Sequence, residues 1–559
     1  MKNLRIGFLL EDHDCPQWQL DIIDRIEKDS KLDICFVGFN GEQKVTNTET
    51  THQPQSLLQK CLKPFRQAFS LLKPHGYGAV SLYHRLDAKR NAELLTLWHK
   101  SPVKHFPTAR TATLIPNRKG FTHRFSQTDI KTITDCNLDV LIRFGFSIIR
   151  GEIHHSATYG VWSFHHGDNR FYRGGPPGIW ELIKGQRQIA VTLQQLNDTL
   201  DCGKTIGRYI HRGDLFSALK NKQLIYSSCG DLLLNKLQQT QKFSFKSIQE
   251  SFLYRETIRQ TPILKSPKNI DFFALIKNLL QHYIELRWPR NKKVQWYLAV
   301  KPNDKAFNSF NSADLIIPPL DRFYADPFLF EFNNKTYVFF EECFYKNIKA
   351  HISVGELKNN QLINIQPIIE EDFHLSYPCI FTDDNEIFLI PESRKNKSLR
   401  LYRCTDFPYK WHLDSILMQD VELLDATIHK QDDTYFLFCN QYQKKRNTSN
   451  EQLVVYFSDN IRGPWQSHPL NPLAMNITNS RPAGKIFEHE NKLILPTQNC
   501  ARRYGHIINF NIIIISKTQF SMEKISSLSP KWQKGNLGSH TWNSNKNIVI
   551  TDAHRYIDI

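Results

Sequence analysis

The sequence predicts an α/β domain followed by an all-β domain built as a five-bladed β-propeller. Three observations carry this. Strand and helix patterns alternate in the first part. After about residue 294 the texture changes to strand-turn-strand units. Those units recur roughly every 50 to 60 residues, near the period of propeller blades.

The elements follow in order. LRIGFLL, DIIDRIEK and LDICFVGF read as strand, helix and strand. Residues 53 to 100 are mostly helical in pattern, and 137 to 203 alternate strand, helix and strand again. From 211 to 290 the pattern is helical, through LFSALKNKQ, DLLLNKLQQ and FFALIKNLLQHYIELRW, and RWPRNKK forms a junction. The repeated units are FLFEFNNKTYVFFEE, CIFTDDNEIFLIPES, TIHKQDDTYFLFCN, KIFEHENKLILPTQ and TWNSNKNIVITDAH. Their tips near Asn334, Asp384, Asp433, Asn491 and Lys546 carry hairpin chemistry. A unit that cannot bury its own face must stack on its neighbours, and five of them make five blades. The expected division is 1–260 for the α/β domain, 261–293 for a helical linker and 294–559 for the propeller.

Composition narrows the class. The chain has 559 residues, 40% apolar and 23% charged, as folded proteins do. No apolar run approaches about 18 residues, so no membrane span is expected. MKNLRIGFLLEDHD meets acids by Glu11 and reads as a first strand rather than a signal peptide. The eleven cysteines show no metal-type spacing, which predicts free thiols, no metal site and a cytoplasmic setting. The formal charge of +17 is spread along the chain without a nucleic-acid reader motif, so no nucleic-acid partner is expected. The oligomeric state is left open.

HHGDNRFYRGG, His165 to Gly175, is the densest polar run. It follows the strand GVWSF, which places it at the carboxyl edge of a parallel sheet, where open α/β folds bind ligands. VTLQQLNDTLDCG adds another strand and a loop with Asp201. A carboxylate from a neighbouring loop can orient a histidine. For His166 and Asp168 a plain polar loop is the leading reading.

The segment Asp139 to Gly203 resembles the formyltransferase family, which includes methionyl-tRNA and sugar N-formyltransferases. That family carries Asn-x-His, an Arg-Gly eight residues after the histidine, a Val-Thr strand and an Asp-x-Gly loop. Here His165, Arg173-Gly174, Val191-Thr192 and Asp201-Cys202-Gly203 stand at those places, and FGFSIIRGEI resembles the segment lining the folate pocket. The resemblance implies a Rossmann-like domain with His165, Asp201 and Ser163 as catalytic residues. It implies that Phe144, Gly145, Arg173 and Gly174 bind 10-formyltetrahydrofolate, the formyl donor. His165 would hold the oxyanion and Asp201 would orient it or accept a proton. The family asparagine that bonds the formyl oxygen is Ser163 here, a shorter donor; His166, Asp168 or Asn169 are candidates to compensate.

Aligned by their turns, the repeated units bring polar residues to one axial ring. Asp326, Glu342, Glu392, Asp425, Arg481 and His540 are the expected saccharide-binding residues, with Tyr324, Tyr377 and Trp542 to stack on sugars. Structural polar blade ends are the equal alternative. YADPFLFEFNNKTYVFFEE and LLDATIHKQDDTYFLF resemble five-bladed glycoside hydrolases of family 43 and, more closely, the N-terminal region of plant glucosamine inositolphosphorylceramide transferases. In the hydrolases two aspartates matching Asp326 and Asp425 are base and modulator. Their acid, a blade-four Glu, is absent from Ser480-Arg481-Pro482-Ala483-Gly484, which argues against hydrolysis unless Glu342 or Glu392 substitutes.

The expected function is formyl transfer from 10-formyltetrahydrofolate to an amino sugar or glycan precursor held by the propeller. The rivals are a glycan-processing enzyme acting in the propeller, and a non-catalytic glycan-binding protein with a degenerate formyltransferase-like domain.

Overall fold

The computed structural model describes residues 2–42, 76–243, 263–287 and 292–558. The helical pattern over 53–75 and the WPRN part of the junction lie outside them. The chain forms two compact units, Met1–Leu286 and Arg287–Ile559. No helix among the described residues is long and apolar enough to cross a membrane.

The first unit is built on a seven-stranded sheet. Its order is Lys204–Arg212, Gln188–Gln195, Val161–His165, Val140–Arg143, Leu4–Leu10, Leu32–Asn40 and Arg110–Leu114. The last five of these are mutually parallel, and Gln188–Gln195 runs antiparallel to both of its neighbours. Leu4–Leu10 is almost entirely buried, as a strand covered on both faces must be. Chain order reverses at this strand, since Leu32–Asn40 lies on one side and Val140–Arg143 on the other. A crevice opens at the carboxyl ends around such a reversal. ALKNKQ and DLLLNKLQQ fall within one helix, Ala218–Lys242, capped by the Ser217 hydroxyl.

Within the expected linker, the helix Asn269–Arg287 buries Leu275 against Ile179, Leu182, Ile183 and Ala218. It therefore belongs to the core of the first unit. Sequence periodicity marks a helix, but it does not say which core receives its apolar face.

The second unit is five antiparallel sheets in succession. Four of them start with Arg322–Phe332, Ser376–Asp383, Leu423–Gln431 and Arg481–Pro482. The fifth joins Lys292–Pro302 to Ile548–Asp558, with Asp314–Ile316 and Trp542–Ser544 outside them. The starting strand of each sheet adjoins that of the next; Trp542 N–H donates to Ala483 C=O, and the Trp542 strand in turn adjoins Arg322–Phe332. The sheets thus close a ring. Apolar clusters fill the seams, such as Phe328, Ile352 and Tyr377 with Ile380 and Leu389. Hairpin tips Asn333–Asn334, Asp384–Asn385 and Glu490–Asn491 hold two successive left-handed residues, as tight hairpins require.

Three starting strands share one irregularity. Their registers break between Ala325 and Phe328, Ser376 and Cys379, and Leu424 and Thr427. The residue inside each bulge is left-handed: Asp326 at φ 51°, Tyr377 at 47° and Asp425 at 51°. Bulges re-aim side chains, and such backbone strain collects at functional sites.

Candidate functional site

The first site lies at the carboxyl ends of Leu4–Leu10, Val140–Arg143 and Val161–His165. His165 closes its strand and is buried. Its Nδ1 lies 3.3 Å from Asp201 Oδ1, so the expected pair forms. Its Nε2 lies 2.7 Å from the Tyr172 carbonyl oxygen. Asp201 is left-handed at φ 53°, and its Oδ2 accepts from Gly174 N–H at 2.9 Å. Burial pushes the Asp201 carboxyl up, but the bond and charge of His165, the Gly174 N–H and Arg173 outweigh it and hold the pKa below the ordinary range.

Thr192 anchors the histidine loop, its hydroxyl donating to Gly167 C=O at 2.8 Å. Arg173 donates to Leu200 C=O at 2.8 Å, so Arg173 and Gly174 tie the two loops together. Gly174 sits at φ 78°, and a Cβ there would lie 2.3 Å from Leu264 O. Gly145 is needed for close approach, since its Cβ would meet Glu11 N at 2.4 Å. Phe144 stacks on Phe164 and meets the edge of Trp18.

The proposed substitutes for the family asparagine are otherwise engaged. Asp168 pairs with Arg170 at 2.6 Å and Arg208 at 3.4 Å. Asn169 accepts from Arg208 at 2.9 Å. His166 stacks on Tyr226 with centroids 4.0 Å apart, and burial, then His165, Arg143 and Lys222, push its pKa to about 3. Ser163 accepts instead from Arg143, at 3.2 Å from Nη1. Two groups escaped the sequence reading. One is Arg143. The other is Glu181, a buried carboxyl on the short helix Trp180–Ile183, which burial lifts to about 7 against its own N–H, His165 and the Gly178 N–H.

The second site is in the ring. Arg481 grips Asp425 with Nε at 2.5 Å and Nη2 at 3.0 Å, and Nη2 reaches Glu392 at 3.4 Å. Gln498 also donates to Asp425, at 2.8 Å. Burial and Asp425 push Glu392 up to about 8, against Arg481. Burial lifts Asp326 to about 7 despite His540, with Glu341, Asp425 and Asp552 adding to the rise. His540 lies between Asp552, at 2.5 Å, and Asp326, at 3.5 Å. These two carboxylates overcome burial and raise His540 to about 9. Donors atom-match the chain: Asp552 accepts the N–H groups of Asp326, His540 and Thr541, and Asp326 accepts from Thr541 Oγ1 and Tyr377 N–H. Asp326, His540 and Asp552 lie close enough to offer a metal three ligand atoms.

Glu342 does not join this ring. It bonds Arg322 at 2.9 Å and Ser353 at 2.7 Å, with His351 3.4 Å away. Its neighbour Glu341 meets His374 at 3.2 Å and acts on Asp326. Successive strand residues face opposite ways, so one step changes the partner. Glu341, Glu392 and Asn440 each stand six residues after the residue that closes the hairpin, Lys335, Glu386 and Thr434. Counting from those closures would have found Glu341. Tyr324, Tyr377 and Trp542 are buried in the seams rather than free to stack. Tyr504 is exposed instead, its ring 4.8 Å from the Arg481 guanidinium carbon.

Residues 312–555 match the family model described as glucosamine inositolphosphorylceramide transferase 1, N-terminal. The chain is 29% identical over 242 residues to glucosamine inositolphosphorylceramide transferase 1 of Oryza sativa subsp. japonica, covering 42% of this chain and 31% of that protein. It is 29% identical over 103 residues to methionyl-tRNA formyltransferase of Prochlorococcus marinus (strain AS9601), covering 18% of this chain and 31% of that one. A solved structure of a family 117 glycoside hydrolase from Zobellia galactanivorans aligns with a TM-score of 0.32 at 12% identity, over 47% of this chain and 90% of that one. The chain thus spans about a third of the length of the curated relatives it matches. Transferases are what it resembles on both counts.

Proposed function

We propose that the first unit transfers a formyl group from 10-formyltetrahydrofolate to the amine of an amino sugar or glycan precursor, and that the second unit, a five-bladed propeller, holds the saccharide. The observation that carries this is the His165–Asp201 pair at the carboxyl edge of the sheet, 3.3 Å apart, with His165 buried. A carboxylate so placed fixes the imidazole and can take a proton from the attacking amine directly or through water. For His165 to donate to an oxyanion, the loop from His166 to Gly175 must release the bond from Nε2 to Tyr172. The reaction is confined to a compartment that keeps the thiols reduced; the ten described cysteines are all free. Incubation of the full chain with labelled 10-formyltetrahydrofolate and a panel of amino sugars tests it. Label on one acceptor supports the reading, and label on none refutes it.

One observation favours a second reading, glycan processing in the ring. Glu392 is pushed up to about 8 by burial and Asp425, while Arg481 and Gln498 bind Asp425 beside it. Two carboxyls in unlike environments are the usual basis of acid-base chemistry on sugars. Turnover of a glycan that survives His165→Ala but not Glu392→Gln would favour it.

A further inference from the structure

Val140, Leu141 and Ile142 are buried, yet the strand ends on Arg143. Arg143 is the sheet partner of Ser163 across two parallel strands. Partners across a sheet share a face, and Ser163 and His165 alternate onto that same face. Arg143 Nε donates to Gly145 C=O at 3.1 Å, and Nη1 to Ser163 Oγ at 3.2 Å. Among the described residues no carboxylate lies within ion-pair distance of the guanidinium; Asp201 and Glu11 act on it only through their fields. Burial lowers its pKa to about 10, against those two fields, so it stays cationic at neutral pH.

A half-buried guanidinium with no counter-ion loses part of its hydration without an ion pair to offset it. Its retention at a sheet's carboxyl edge points to an anion that comes and goes. His165 has Nδ1 toward Asp201 and Nε2 toward the Tyr172 carbonyl. Arg143 is the fixed cationic donor left beside Ser163.

On the reading that this site transfers a formyl group, we propose that Arg143 is a catalytic residue that donates a hydrogen bond to the formyl oxygen as it becomes an oxyanion. It takes the part of the family asparagine at position 163, which Ser163 is too short to fill. The amine nitrogen bonds the formyl carbon, and the C=O electron pair moves to oxygen, beside Arg143. Collapse restores C=O and breaks the bond from the formyl carbon to the folate nitrogen. The amine gives up a proton toward Asp201 or water, and the folate nitrogen gains one. The products are a formamide and tetrahydrofolate.

The test uses the full chain as wild type, Arg143→Met, Arg143→Lys and Arg143→Met with Ser163→Asn. Turnover is measured on the amino sugar that the wild type formylates, with melting curves for folding and calorimetry with 5-formyltetrahydrofolate for folate affinity. Arg143→Met should lose about 100- to 1,000-fold in kcat, as removal of one oxyanion donor does. Folate affinity should stay within about twofold, because the interaction belongs to the transition state. Ser163→Asn should restore part of the loss. Unchanged kcat overturns the proposal, as does a raised KM alone, which would assign Arg143 to a standing anion on the substrate such as a phosphate. Loss of kcat that Ser163→Asn leaves untouched overturns the shared role. If Arg143→Met does not fold, Arg143→Lys decides: it keeps the charge but not the fork, and full kcat in it overturns the proposal. A wild type without formyl transfer on any acceptor refutes the activity itself, a result distinct from any failure of the variants.

Discussion

Glu181→Gln isolates one buried carboxyl whose stability effect depends on pH. The carboxyl ordinarily titrates near 4.5 and is lifted to about 7 by burial in the folded first unit. Below 4.5 it is protonated folded or unfolded, and contributes no difference. Between 4.5 and 7 the folded chain retains a proton that the unfolded chain has released, so folding weakens as pH rises. Above 7 the loss is complete. At about 1.4 kcal/mol per pH unit, that interval amounts to about 3 kcal/mol. Glutamine is neutral throughout and keeps an oxygen for the N–H groups of Glu181 and Gly178. The variant should therefore match the wild type near pH 4.5 and exceed it by about 3 kcal/mol above pH 8. Urea denaturation read by hydrogen exchange in strand Gln188–Gln195 reports the first unit by itself. A difference between variant and wild type that stays constant with pH would refute the reasoning.

Other outcomes follow from the same geometry. His165→Ala and Asp201→Asn should each lower formyl transfer about 100-fold, and the double variant little further, because a coupled unit fails once; near-full transfer in either single variant removes the pair from catalysis. Glu341→Gln should change saccharide affinity on a glycan array, whereas Glu342→Gln should lower thermal stability and leave affinity alone, since Glu342 faces Arg322, His351 and Ser353. Asp326→Ala with Asp425→Ala should weaken saccharide binding and spare folate binding measured by calorimetry. Asp425→Asn removes the charge from the Arg481 fork and should lower the melting temperature of the second unit; an unchanged melt would mean that the pair gives no net stability.

Much of the fold was legible because periodicity is local. The strand-helix-strand opening, the strands before His165 and Asp201, and the hairpins at Asn334, Asp384 and Asn491 follow from apolar spacing and turn residues. The contacts of Asn269–Arg287 were not, because an apolar helix face does not name its partner. At the first site, spacing was enough to bring His165 and Asp201 together. Arg143 was hidden in an apolar strand, where its meaning comes only from lying opposite Ser163 across the sheet. Glu181 was hidden because burial, which sets its proton affinity, is a property of the whole core. In the ring, the error at Glu342 was one of parity. Counted from the hairpin closure at Lys335, the place that Glu392 and Asn440 hold in their own strands falls on Glu341.

The sheet that joins Lys292–Pro302 to Ile548–Asp558 sets a timetable for synthesis. The other four sheets are made of neighbouring hairpins and can form as they leave the ribosome. Lys292–Pro302 must wait for a partner about 250 residues away, a closure that costs about 5 kcal/mol of chain entropy. Until then one edge of an apolar strand stands open, the condition under which chains pair with the wrong neighbour. A circular permutant that joins 292 to 558 and opens a hairpin tip such as Asn333–Asn334 would keep every strand pair yet move this wait elsewhere. Its yield on refolding, compared with that of the natural order, would measure how much of the unit's folding difficulty lies in that single seam.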